Sequence, residues 1–254
     1  ALILTNDADP APSRPYPFFL AYPLENEPAS LGLPSDWLAE WKWDGIRGQF
    51  ILRGGAHYLW SRGEELITDR FPELAQLTDF LPQGTVIDGE LLAWRNGAPL
   101  PFADLQKRIG RKTVPRKLLA DAPVILMAYD LLEADWQDLR NRPLSERRGL
   151  LATLVAGLPS QAPMRLSPEA AFNDWTALAD LRATSRDRLA EGLMLKRRDS
   201  AYGSGRRKGD WWKWKIDPMT VDAVMIYAQA GHGRRANLFT DYTFAVRDGE
   251  ALVP

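Results

Sequence analysis

Five apolar and β-branched runs constrain the fold of this chain more than any other feature: Gln49 to Leu52, Thr85 to Trp94, Val124 to Leu132, Leu193 to Arg197 and Trp211 to Ile216. Runs of this length and composition read as strands. Helical signals lie between them, at Pro72 to Leu81 and from Ser145 to Gly157 after Pro143. A third follows Ser167-Pro168, with Phe172, Trp175, Leu178 and Leu181 at helical spacing. Strands and helices do not alternate regularly, which points to an α+β domain rather than a doubly wound sheet. There is no internal repeat and no glycine-rich phosphate loop, so a bound nucleotide must be held by other means.

The 254 residues suffice for one large domain or one domain and part of a second, and 45% apolar with 26% charged residues is the balance of a globular chain. Without cysteine there is neither a disulfide framework nor a thiolate metal site, and with only His57 and His232 a zinc centre is disfavoured. No apolar stretch approaches the ~20 residues of a membrane helix. The cytoplasm is the default expectation. Residues 1–18, rich in Pro, Asn, Asp and Ser, read as a linker from an upstream region, and missing sequence is expected at both ends. The net charge of -1 conceals basic clusters, one at Lys107, Arg108, Arg111, Lys112, Arg116 and Lys117, another from Arg197 to Lys215. Beside a phosphate-handling site such clusters read as a track for a polyanion.

The most informative segment is Glu40-Trp41-Lys42-Trp43-Asp44-Gly45-Ile46-Arg47. A lysine that attacks a phosphate must be neutral, although a free lysine has a pKa of ~10.4. Desolvation and neighbouring cations achieve this, and Arg47, Lys213 and Lys215 are the cations available if the strands converge. The same cations would stabilise charge on phosphoryl oxygens in flight.

Lys42-x-Asp44-Gly45-x-Arg47 resembles the nucleophile motif of the covalent nucleotidyltransferases, which include DNA ligases, RNA ligases and capping enzymes. Further segments resemble the family's other motifs in the expected order: Ser61-Arg62-Gly63, Asp88-Gly89-Glu90, Tyr129-Asp130-Leu131-Leu132, Glu191 to Lys196, and Trp212-Lys213-Trp214-Lys215. Arg142-Pro143-Leu144-Ser145-Glu146-Arg147-Arg148 resembles a segment of DNA ligases, although on its own it reads as a capped helix start with a basic exposed face.

The resemblance implies an ATP-dependent DNA ligase, with an adenylation domain of antiparallel sheets and flanking helices over residues 19–217 and the start of an OB-fold barrel over 218–254. It implies Lys42 as the adenylylated nucleophile, with Arg47, Lys213 and Lys215 assisting. Glu90 and Glu191 would hold Mg²⁺ or Mn²⁺ or contact the ribose of the nucleotide. Tyr129 would stack on adenine, Glu40 read its edge and Met194 close the other face. Arg47 and Arg62 would contact ribose, phosphate or the nicked strand, and Arg206 and Lys208 would extend that contact along nucleic acid. The expected partner is nicked double-stranded DNA, the chain a monomer in a bacterial repair setting, with a DNA-binding domain upstream. An RNA ligase or a capping guanylyltransferase is the nearest alternative, and a non-catalytic nucleic-acid-binding module the alternative of another class. The tryptophans Trp37, Trp41, Trp43, Trp60, Trp94, Trp175 and Trp211 read as core, and the two histidines as surface or turn positions.

Overall fold

The structure, a computed structural model, describes residues 13–109, 111, 114–218 and 220–254. Most of the opening linker, Lys112 and Met219 therefore lie outside the described residues. The chain divides into two compact units, Ala1–Ile216 and Asp217–Pro254.

The first unit holds two principal sheets. In the larger, the path runs β6-β5-β4-β2-β3, where β2 is Ile46–Arg53, β3 Ala56–Ser61, β4 Thr85–Arg95, β5 Val124–Ala134 and β6 Met164–Leu166. The smaller joins β1 (Trp37–Trp43), β7 (Ala190–Arg197), β8 (Trp211–Lys215) and the two-residue strand Tyr22–Pro23. Pairing is antiparallel through the body of both sheets; only the edge strands β6 and Tyr22–Pro23 add in parallel, a small departure from the all-antiparallel expectation.

The long apolar runs have a simple cause. Strand β4 is covered on both sides: Ile87, Leu91 and Ala93 pack with Leu74, Leu77, Leu105 and Leu151 from helical segments, while Leu92 packs toward the smaller sheet. A strand covered on both faces loses its polar alternation. On β1 alternation survives, because Trp37, Ala39, Trp41 and Trp43 enter the core between sheets while Glu40 and Lys42 face the other way. Trp211 is also buried, and Trp60, Trp94 and Trp175 pack at the edges of core clusters.

The helices α1 (Phe102–Ile109), α2 (Arg116–Asp121), α3 (Leu144–Ala156) and α4 (Trp175–Ala183) flank the sheets. Pro72–Asp79 is 3₁₀, with Leu74 and Leu77 buried one tight turn apart. Helix α4 begins later than Ser167-Pro168 suggested: Ala170 donates its backbone N–H to Ala39, so the chain there is tied alongside β1, and Asp174 caps the helix by accepting from the Ala177 N–H at 2.8 Å. Helix α3 departs from expectation more instructively. Its N-cap is Pro143, without a side-chain cap, and Arg147 and Arg148 are buried rather than displayed. Arg108 of the first basic cluster is likewise buried, paired with Glu73, so that cluster is no continuous exposed track. Of the histidines, His57 lies half-buried on strand β3, and His232 is exposed at a turn in the second unit.

The second unit is an antiparallel meander of β9 (Ala223–Ala230), β10 (Phe239–Asp248) and β11 (Ala251–Val253), an open sheet that does not close into a barrel among the described residues.

Candidate active site

Strand register assembles one wall of a cavity of about 490 Å³. Met194 of β7 lies opposite Glu40 of β1 on one side and Lys213 of β8 on the other. Because side chains two apart share a face, this row carries Lys42, Lys196 and Lys215 with it, and all six side chains line the cavity. Gly192 faces Lys215 in the register, where a Cβ would meet the Trp214 carbonyl oxygen at 2.2 Å, so only glycine permits the close strand approach that brings Glu191 to the lysines.

The larger sheet forms the opposite wall. Arg47 of β2 pairs in register with Glu90 of β4, and Tyr129 of β5 joins them at the cavity. The Asp44-Gly45 turn connects β1 to β2 directly. A Cβ on Gly45 would stand 2.3 Å from the Leu91 carbonyl oxygen, so glycine is needed for the turn to lie against β4. Arg47 is held on all sides: its Nη2 donates to Asp88 Oδ2 at 2.7 Å, its Nε to Oδ1 at 3.2 Å, and its Nη1 to the Phe19 carbonyl at 2.7 Å. Tyr202 donates its hydroxyl to Asp88 Oδ2 at 2.6 Å, completing a buried clamp. The planar fork of arginine suits such bidentate holding.

The amine of Lys42 forms an ion pair with Glu191 Oε2, and Lys215 reaches the same oxygen at 3.2 Å. A carboxylate is thus the immediate partner of the lysine, because β7 delivers Glu191 between the two lysines. Burial would raise the Glu191 carboxyl, but hydrogen bonds and charges from Lys42 and Lys215 outweigh it and hold the group below its ordinary range. Glu90 behaves oppositely. Burial pushes its carboxyl to about 8, with Asp88 and Glu191 adding to the rise and Lys42 and Arg47 opposing it. Lys213 is lowered by burial and then by Arg206, Lys215, Lys42 and Arg62. Asp44 is raised by burial and by Glu191. Two carboxyl groups in one cavity are thus driven apart in acidity by their surroundings.

Of the twelve residues singled out from the sequence, Glu40, Lys42, Arg47, Arg62, Glu90, Tyr129, Glu191, Met194, Arg206, Lys213 and Lys215 all line this cavity. Lys208 does not; it is exposed on the segment before β8. Arg62 and Arg206 are exposed at the cavity, and the Arg62 N–H donates to the Arg47 carbonyl at 3.1 Å. Residues the sequence reading passed over also enter: Lys196 and Trp211 line the cavity, and Tyr202 and Asp88 fix Arg47. Asp88 and Lys196 stood inside quoted motifs, whereas nothing local marks Tyr202 or Trp211. Among the described residues no group of three or more His, Cys, Asp or Glu side chains is arranged to hold a metal ion. Glu90 and Glu191 offer two carboxylates, the number with which Mg²⁺ is usually bound when phosphates and water complete its shell.

A family model described as ATP dependent DNA ligase domain matches residues 21–215. The chain is similar to a probable DNA ligase of Opitutus terrae, 38% identical over 276 residues that cover 98% of this chain and 26% of that protein. It is similar to a probable DNA ligase of Koribacter versatilis at 36% identity, covering 94% of this chain and 45% of that one. The chain thus spans between a quarter and a half of the length of these relatives. Among solved structures it resembles a mycobacterial DNA ligase D complexed with ATP and MES, with a TM-score of 0.64 and 28% identity over 90% of this chain and 67% of that one. A Chlorella virus DNA ligase-adenylate, at 20% identity and a TM-score of 0.58 over 91% of this chain and 79% of that one, shares the fold.

Proposed function

Because this chain belongs to the family of ATP-dependent DNA ligase domains, we propose that it takes AMP from ATP onto Lys42 and delivers it in the sealing of nicked double-stranded DNA. The observation that carries the reading is the convergence of Lys42, Glu191, Lys213, Lys215, Arg47 and Glu90, from five strands, on one cavity.

The chemistry follows from the groups present. Lys42 Nζ, having lost its proton, attacks the α-phosphorus; an N–P bond forms, the bond to the bridging oxygen breaks, and pyrophosphate leaves with the electron pair. Glu191, paired with Lys42, orients the amine, while Lys213 and Lys215 offer positive charge to the phosphate oxygens. Tyr129 supplies a stacking surface for adenine, Met194 the opposing one, and Glu40 an acceptor for the base edge. Mg²⁺ or Mn²⁺ fits Glu90 and Glu191, whose hard oxygen donors suit it; when bound it supplies charge neutralisation to the triphosphate. AMP then passes to the 5′-phosphate of a nick, and the 3′-hydroxyl displaces it as the strand is sealed. Arg62 and Arg206, exposed at the cavity, together with Lys208, are suited to the nicked strand's phosphates. We place the activity in bacterial DNA repair, in the cytoplasm and as a monomer, with 218–254 as the opening strands of an OB fold and a DNA-binding domain upstream.

The test is labelling with ATP carrying radioactive α-phosphate. Covalent label that survives alkali but is released by acid, as an N–P bond requires, should enter the wild type, fall away in Lys42→Ala, and persist at a reduced rate in Lys215→Ala. Unchanged labelling of Lys42→Ala would refute the assignment of the nucleophile. Preferential labelling by GTP, or transfer to nicked RNA ahead of nicked DNA, would move the chain to a capping or RNA-ligase activity.

A further inference from the structure

At the end of the Arg142 to Arg148 segment, Arg147 and Arg148 turn inward beneath the cavity, while Arg142 stays exposed. Arg147 is locked to Asp130, with Nε to Oδ1 at 2.8 Å and Nη2 to Oδ2 at 2.9 Å, which fixes the first turn of α3 against β5. Its neighbour Arg148 then reaches the cavity floor. Arg148 Nη1 lies 2.7 Å from Glu40 Oε1, and its Nη2 donates to the Ser167 carbonyl. From the other side Lys196 Nζ donates to Glu40 Oε2 at 2.6 Å, while standing 4.3 Å from the centre of the Tyr129 ring and 4.6 Å from that of Trp211. All three charged side chains are nine-tenths or more buried.

A carboxylate ion-paired on both oxygens accepts hydrogen bonds and has none to donate. Each Glu40 oxygen faces one cation, a carboxylate oxygen has room for a second donor, and the residue lines the cavity. Opposite a purine such a group accepts from a 6-amino substituent and repels a 6-oxo one. Resting on the reading of this cavity as the ATP site, we propose that Arg148 and Lys196 are positioning residues that hold Glu40 as a fixed anion and thereby select 6-amino over 6-oxo purine nucleotides. Lys196 has a second part in this, since its contact with the Tyr129 ring ties the edge reader to the stacking platform.

The experiment measures Lys42 labelling by ATP, GTP and inosine triphosphate in wild type, Arg148→Met, Lys196→Met and Glu40→Gln, with melting temperatures alongside. Arg148→Met and Lys196→Met are expected to raise KM for ATP by about tenfold and to narrow the preference for ATP over inosine triphosphate by a similar factor, leaving kcat within about threefold. Glu40→Gln, whose amide can donate to a 6-oxo group, should gain use of inosine triphosphate. If Arg148→Met does not fold, Arg148→Lys takes its place and should show a smaller loss of the same kind. Folded variants whose nucleotide preference stays within twofold of wild type would overturn the inference alone. A wild-type protein not labelled by ATP at all would overturn the reading beneath it.

Discussion

Replacing Glu90 by glutamine should stabilise the nucleotide-free protein at alkaline pH and leave it unchanged near pH 4.5. Burial lifts the Glu90 carboxyl from 4.5 to about 8 in the folded chain. Between those two values the folded protein keeps a proton that the unfolded chain has released, so stability falls as pH rises through this window and levels off above it. At ~1.36 kcal/mol per pH unit the full shift sets a ceiling of about 5 kcal/mol, and water entering an open cavity reduces this to roughly 2–5 kcal/mol. For a chain of this size that corresponds to a difference in melting temperature on the order of 5–15 °C. The assay is thermal unfolding of wild type and Glu90→Gln from pH 4.5 to 9, without nucleotide or divalent cation. The two curves should coincide at the acid end and diverge steadily toward pH 8, the variant melting higher. Parallel curves across the whole range would refute the argument that Glu90 is held protonated by its surroundings.

Other substitutions probe the remaining parts of the site. Gly45→Ala forces a Cβ against the Leu91 carbonyl and should cost about 1–3 kcal/mol in denaturant unfolding, with loss of Lys42 labelling. Tyr202→Phe removes the hydroxyl that donates to Asp88; about 1 kcal/mol of stability should go, with AMP transfer slowed more than ATP binding is weakened, as stopped-flow and filter binding would show. Asp130→Ala leaves Arg147 buried without its partner and should cost ~3–5 kcal/mol by urea unfolding.

Much of this site is legible in the amino-acid sequence because its chemistry demands rare residue types in a fixed order. Lys42, Arg47, Glu90, Glu191, Lys213 and Lys215 stand out as charges within otherwise apolar strands; register sets neighbours side by side within each sheet, and the short Asp44-Gly45 turn brings the two sheets to one cavity. What escaped has a common physical cause. Arg148 and Arg147 look like exposed helix charges because the carboxylates they pair with, Glu40 and Asp130, lie on other elements, strands that the local pattern of the helix does not reveal. Tyr202 matters only through a hydrogen bond to Asp88, more than a hundred residues away. Glu191 as the direct partner of Lys42 was hidden for the same reason: local pattern carries no sign of which opposite charge a strand will bring. The late start of α4 reflects a backbone hydrogen bond from Ala170 to Ala39, a tertiary tie that overrides the Ser167-Pro168 signal.

The two residues between Trp43 and Ile46 also decide how the cavity breathes. Consecutive strands of the chain supply its facing walls, and the Asp44-Gly45 link is wedged against β4. The walls are bound there like the pages of a book at its spine, and any widening must swing from the margin remote from it. Lengthening that link by a few flexible residues would unbind the spine: each sheet would keep its own ladder of hydrogen bonds, while Lys42 and Arg47 lost the common reference that sets their separation.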